Sequence, residues 1–180
     1  MGQPHRIEFA GARVHTVARA VCGGALFLDD ADRRRFLRRL AVVVARYGWL
    51  CSAYCLMGTH YHLILETPRP NLALGMQDLN SVYARGFNLR HRRHGHVFSE
   101  RYAPTSIADD AHLLLAHRYV VRNPVEAAAC TTAAGWRYSS YRATAGLAPA
   151  PAFLTVEPFL ALFADDPGRA RHRYRAYVAA

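Results

Sequence analysis

The stretch that most restricts the fold is Tyr54-Cys55-Leu56-Met57-Gly58-Thr59-His60-Tyr61-His62-Leu63-Ile64-Leu65-Glu66. Apolar and aromatic runs on both sides of Gly58-Thr59 read as two strands joined by a tight connection. Side chains alternate between the two faces of a strand. His60, His62, Ile64 and Glu66 therefore share one face, and Tyr61, Leu63 and Leu65 the other. Two imidazoles about 7 Å apart along the backbone can converge on one divalent metal. The same spacing also suits a strand that carries two ordinary histidines. Glu66 makes a poor third ligand, because four strand residues place it about 13 Å beyond His62.

The chain's 180 residues, 52 % of them hydrophobic, suffice for one good core, and one compact domain is expected. No apolar run approaches the roughly 20 residues that span a bilayer. The N-terminus lacks the charged-then-apolar layout of a signal peptide. A cytoplasmic protein without a membrane partner is the expectation. The net charge is +10, and all 23 basic side chains are Arg. A GC-rich genome accounts for Arg in place of Lys, but not for the excess of base over acid. That excess points to a polyanion such as nucleic acid, and Arg forms bidentate contacts with phosphate. Cys51 and Cys55 have no second close pair to complete a zinc site. On one strand they would share a face, too far apart to bond to each other. All four cysteines, Cys22 and Cys130 included, are expected as reduced thiols.

Residues 1–12 form a loose basic lead, and Arg13 to Ala20 alternate as a first strand. His15 on that strand is either a substrate contact or a packed, hydrogen-bonded histidine. Asp29-Asp30 open a helix that carries Phe36, Leu40, Val43 and Val44 at helical spacing, and Gly48 closes it. Trp49–Met57 and Tyr61–Glu66 supply the second and third strands. Thr67-Pro68-Arg69-Pro70 breaks the chain, and a second helix runs from Asn71 to just short of Gly95. Its last turns carry Arg85, Arg90, Arg92 and Arg93 with Tyr83 and Phe87 interleaved. Such a stretch can track a phosphate backbone and stack an unpaired base, or it can be a solvated helix end with core aromatics. A fourth strand is expected within Gly95–Ile107, through Val97 and Phe98, with Arg101 adding to the basic region. Asp109-Asp110 start a third helix that Pro124 stops, which disfavours a helical Asn123. Gly146–Pro151 reads as a linker to a C-terminal helical appendage over 147–180, with helices at Val156–Phe163 and Arg169–Val178. The order suits an α+β fold, an antiparallel sheet of four or five strands with helices on one side.

His60-Tyr61-His62 resembles the HUH motif, two histidines separated by one bulky residue, of single-tyrosine transposases. Met57-Gly58-Thr59 stands where the usual lead-in has Met-Pro-Asn. Further matches follow in the same order: Arg6-Ile7-Glu8-Phe9, Val14-His15-Thr16-Val17-Ala18-Arg19, Arg92-Arg93-His94-Gly95-His96-Val97-Phe98, Arg122-Asn123-Pro124-Val125 and Trp136-Arg137-Tyr138-Ser139-Ser140-Tyr141. Over residues 6–146 the chain is similar to the REP-associated tyrosine transposases. The resemblance implies a ferredoxin-like HUH domain over 1–146, with the histidines on a central strand and the nucleophile on a helix packed beside it. It implies a metal-dependent single-stranded DNA endonuclease and strand transferase acting on structured repeat DNA through a 5′-phosphotyrosine. The partner would be single-stranded hairpin DNA, the protein a monomer or homodimer associated with a bacterial nucleoid, and the metal Mg²⁺ or Mn²⁺.

Ten tyrosines compete for the role of nucleophile. The resemblance selects Tyr119, four residues before the Asn of Asn123-Pro124-Val125, and assigns Asn123 as third metal contact beside His60 and His62. Residues four apart share a helix face. Tyr83 and Tyr102 are the rivals, with packing or DNA contact as their other roles. Two other activities stay open: a non-catalytic DNA-binding protein of the same fold, and a metal phosphoesterase that uses water.

Overall fold

The computed structural model describes residues 8–180, so Arg6 and Ile7 of the matched segments lie outside the described residues. The elements run β1 (Ala12–Arg19), α1 (Asp30–Tyr47), β2 (Leu50–Leu56), β3 (His60–Thr67), α2 (Leu72–His91), β4 (Ala103–Ser106), α3 (Asp110–Glu126), a 3-10 turn (Ala133–Gly135), α4 (Tyr141–Thr144), α5 (Glu157–Leu160) and α6 (Pro167–Ala179). The strands form one sheet in the order β2-β3-β1-β4, with every neighbouring pair antiparallel. This is the α+β, ferredoxin-like arrangement expected, with four strands. The β2–β3 hairpin turns on Gly58-Thr59, closed by Met57 N–H donating to the His60 carbonyl at 2.9 Å.

Local chemistry sets the helix ends. The Asp29 and Asp109 carboxylates accept from the backbone N–H groups of Asp32 (3.0 Å) and His112 (2.8 Å), capping α1 and α3. Gly48 closes α1 at φ 68°, a left-handed conformation that costs glycine no side-chain clash.

The sheet has two unlike faces. Ala12, Val14, Thr16 and Ala18 of β1 and Tyr61, Leu63 and Leu65 of β3 lie under α1 and α2 and are buried. Phe36 meets Tyr61 there with ring centres 4.6 Å apart, and the Tyr61 hydroxyl donates to Asn80 Oδ1 at 2.6 Å. Gly75 lets α2 rest on Trp49, since a Cβ there would lie 2.1 Å from the indole ring. The opposite face carries His15, His60 and His62 and is covered by α3. Arg13 of β1 reaches Asp110 at 2.6 Å, and His117 approaches the Ser52 carbonyl at 3.3 Å. Helices thus pack on both faces, not on one side as the element order suggested.

Several local expectations change. The cysteines expected to share a face do not. A register shift between Cys51 and Ala53 sets Cys51 opposite Leu65 and Cys55 opposite His62, on different faces. Helix α2 ends at His91, with Arg92 left-handed at φ 51°, so Arg93 and His94 belong to the loop that follows. The fourth strand lies at Ala103–Ser106, while Phe98 makes only an isolated bridge to Ala20. Tyr83 and Phe87 are buried at 1 % exposure and are core side chains, unavailable to a base. Pro124 sits inside α3 and Asn123 is helical. Proline lacks the N–H that would bond back to Val120, yet the last turn continues, with Ala127 N–H donating to the Asn123 carbonyl at 3.0 Å.

The C-terminal residues lie against the sheet edge and α3. Thr155 N–H donates to the Cys51 carbonyl at 2.7 Å and Ser140 N–H to the Tyr54 carbonyl at 2.9 Å, so the outer edge of β2 is occupied. Phe159 stacks on His117 at 3.8 Å, and Arg122 Nη1 donates to the Val178 carbonyl at 2.9 Å.

Candidate active site

His60 and His62 both project from β3 toward α3, which brings Tyr119 and Asn123 across to them. His60 Nε2 lies 3.2 Å from Asn123 Oδ1, and its Nδ1 lies 3.1 Å from Thr59 Oγ1. The two histidine rings are 5.0 Å apart and nearly perpendicular. The Tyr119 ring stands edge-on to His62 at 5.6 Å and to His15 at 5.9 Å. Tyr119 is 50 % exposed, which sets it apart from the core aromatics. The rival Tyr83 lies on the other side of the sheet, its hydroxyl donating to the Leu26 carbonyl. Tyr102 is half-buried beyond the bridge at Phe98. The structure thus gathers four sequence-selected residues, His60, His62, Tyr119 and Asn123, at one place.

Electrostatics keep the imidazoles neutral. Burial, reinforced by His15, His60 and Arg19, pushes the His62 pKa down to about 3. Burial, with a smaller push from His112, lowers His15 to about 4. His60 is also lowered, chiefly by burial, although its hydrogen bond to Asn123 opposes the shift. Neutral imidazoles present lone pairs at pH 7, as metal ligation requires.

The donors fit a hard or borderline divalent cation. His62 Nε2 is buried and has no hydrogen-bond partner among the described residues. Asn123 Oδ1 and His60 Nε2 stand 3.2 Å apart, near the roughly 3 Å that separates adjacent corners of an octahedron with bonds of about 2.1 Å. No group of three His, Cys, Asp or Glu able to hold a metal occurs among the described residues. With the Asn123 amide as third donor, three neutral ligands would leave a divalent charge uncancelled for an anion to meet.

The loop between α2 and β4 reaches this end of the sheet. Arg92, Arg93 and Arg101 are exposed in the loop between α2 and β4. That loop is fastened to β1 beside the histidines, with Ser99 N–H donating to the Arg19 carbonyl at 3.0 Å. Arg85 is exposed on α2. Arg90 differs from the other four. Its guanidinium holds Asp29 (2.6 Å) and the buried carboxylate of Asp32 (2.6 Å), tying the end of α2 to the start of α1. Two residues that sequence reasoning left without a firm role also stand here. Arg19 pairs in register with His60, is exposed, and has no carboxylate partner among the described residues. His15 Nε2 lies 2.9 Å from His62 Nδ1. Only the strand register, invisible in the sequence, puts them beside the histidine pair.

A family model described as "Transposase IS200 like" matches residues 9–123. The chain belongs to the IS200-like transposase family. Among solved structures, a REP-associated tyrosine transposase bound to a REP hairpin is similar in fold, with a TM-score of 0.72 at 12 % identity. That match covers 86 % of this chain and 92 % of the other. No curated protein matches the sequence. Among the described residues, no helix is long and apolar enough to cross a membrane.

Proposed function

We propose that this chain cuts and rejoins single-stranded hairpin DNA by tyrosine transesterification. The observation that carries the reading is the convergence of a half-exposed Tyr119 on His62, at 5.6 Å between rings, beside the His60–Asn123 pair. Arg85, Arg92, Arg93 and Arg101, together with the net charge of +10, favour phosphate and would hold the strand along this end of the sheet. A divalent metal, Mg²⁺ or Mn²⁺, held by His60, His62 and Asn123, would draw electron density from the scissile phosphate oxygens. α3 aims the Tyr119 hydroxyl at that phosphate. Its oxygen gives up its proton to solvent and forms a bond to phosphorus as the bond to the 3′ oxygen breaks. The departing oxygen takes a proton from solvent and leaves as a 3′-hydroxyl, and a 5′-phosphotyrosine remains. Attack by a 3′-hydroxyl reverses the step and joins strands. One bond is exchanged for another, so no nucleotide hydrolysis is needed.

The hairpin substrate is supported by the similar fold of the REP-associated transposase, whose partner is a REP hairpin. In the test, labelled strands of hairpin-forming palindromic repeats, sought in the DNA beside the gene, are incubated with the protein and Mn²⁺. Cutting at one phosphate is expected, lost in chelator and at least tenfold weaker on an unfolded strand of the same composition. Equal cutting in chelator would contradict the metal assignment, and equal cutting of the unfolded strand the hairpin assignment.

A further inference from the structure

We propose that His15 is a positioning residue that holds His62 in the one tautomer able to ligate a metal through Nε2. The inference rests on the metal reading of the His60–His62–Asn123 site.

β1 and β3 pair with His15 opposite Ile64 and Val17 opposite His62. His15 and His62 are thus diagonal neighbours on one face, within reach for long or ring-bearing side chains. Their ring centres lie 5.2 Å apart with 21° between planes, nearly coplanar and edge to edge, and His15 Nε2 comes 2.9 Å from His62 Nδ1. A hydrogen bond between neutral imidazoles needs one N–H and one lone pair, so two arrangements exist. If His15 donates, His62 Nδ1 is the acceptor and His62 must carry its proton on Nε2. That N–H would then be buried with no partner. If His62 donates from Nδ1, Nε2 carries a lone pair instead. Buried unpaired N–H groups are rarer than unpaired acceptors, and a buried lone pair is what a cation uses. The second arrangement makes His15 the acceptor and leaves His62 ready to ligate.

His60 is held differently: Asn123 Oδ1, 3.2 Å from His60 Nε2, can only accept, so Nε2 carries the proton and Nδ1 accepts from Thr59 Oγ1 at 3.1 Å. Outer partners such as His15 fix ring orientation and tautomer, and their loss typically weakens metal binding by about 10–100-fold. His15 has a second contact besides, since its ring also meets Tyr119 edge-on at 5.9 Å. One side chain would therefore align a ligand and pack against the nucleophile.

The test uses the full chain and Mn²⁺ alone, without DNA. His15→Phe keeps a ring at this place but has no acceptor, so Mn²⁺ affinity should fall about 10–100-fold. His15→Gln restores an acceptor near the same place and should stay within about threefold of wild type by the same measure. Two-bond ¹H–¹⁵N correlation on the metal-free wild type should find the His62 proton on Nδ1. A folded His15→Phe protein with wild-type affinity, or a His62 proton on Nε2 in wild type, overturns the proposal. Should His15→Phe fail to fold, the wild-type tautomer and the His15→Gln affinity still decide. If His60→Ala leaves wild-type Mn²⁺ binding unchanged, the metal site itself is wrong, whereas the tautomer result still judges His15.

Discussion

β3 presents two unlike surfaces from consecutive residues. Tyr61, Leu63 and Leu65 enter a close-packed layer under α1 and α2, where the Tyr61 hydroxyl bonds to Asn80 and that of Tyr83 to the Leu26 carbonyl, while Thr16 Oγ1 is left without a partner. His60 and His62 meet α3, where a buried imidazole nitrogen is left unpaired and a tyrosine stands half in solvent. Close packing stabilises the first surface, whereas the second gathers polar side chains at a half-open site, in the way functional sites do. Because side chains alternate strictly along a strand, one hairpin supplies both a core and a site, and a one-residue slip would exchange them.

The comparison breaks most visibly if substitutions on the two faces have the same effects. Replacing His60 and His62 with Ala should reduce cutting by more than about 10²-fold, the scale of losing a metal's charge stabilisation, while hairpin affinity stays within about threefold because arginines carry it. Cleavage assays alongside filter binding check this, and parallel losses in both would merge the two roles. On the other face, Gly75→Ala drives a methyl into the Trp49 ring and should destabilise by about 1–3 kcal/mol despite alanine's better helix propensity. Denaturant titration measures that cost. Cutting per folded molecule should not change, and a drop there would show that the packed face shapes the site.

The arginines sharpen the contrast further. Arg92→Ala with Arg93→Ala should lower the slope of log affinity against log salt by about 1–2 and leave the melting temperature alone. Arg90→Ala should do the opposite, because its guanidinium serves Asp29 and the buried Asp32. A flattened salt slope for Arg90→Ala would return it to the DNA surface.

The smallest effect concerns acid. Burial pushes His117 down to about 3, below the ordinary value near 6.5. The folded state therefore binds fewer protons than the unfolded state between those values, so this contribution is complete above pH 6.5 and shrinks as pH falls toward 3. His117→Phe keeps the stack on Phe159 but removes the titrating ring. Its melting temperature should decline less than that of wild type between pH 7 and pH 4.5. Parallel declines would place the acid sensitivity elsewhere, with His15 and His62 the next groups of the same sign.

Periodicity made most of the fold legible, since Phe36, Leu40 and Val43 repeat at helical spacing and the Gly58-Thr59 hairpin is punctuated by its own residues. The misplacements have local causes. Pro124 lies where the helix has already formed most of its bonds, so the helix continues past it, and the Cys51–Ala53 bulge inserts a residue that alternation cannot foresee. The side of the sheet taken by α3 depends on tertiary packing, which element order does not encode. At the site, the family resemblance selected Tyr119 and Asn123 beside the His60–His62 pair, and the fold brings the four together. Arg19 and His15 needed the β1–β3 register, and Arg90 reads as a DNA contact until Asp29 and Asp32 are seen to hold it.

The covalent intermediate tests the central claim most directly. Wild-type protein, a cognate hairpin strand and Mn²⁺ should yield a denaturant-resistant protein–DNA adduct, labelled only when the label lies 3′ of the cut, with the modified peptide mapping to Tyr119. Tyr119→Phe keeps the ring and removes the attacking oxygen, so it should fold, bind the hairpin and form no adduct. A normal adduct from Tyr119→Phe, mapping to Tyr102 or Tyr83, would contradict the assignment, and cutting by wild type with no adduct under any condition would make water the nucleophile.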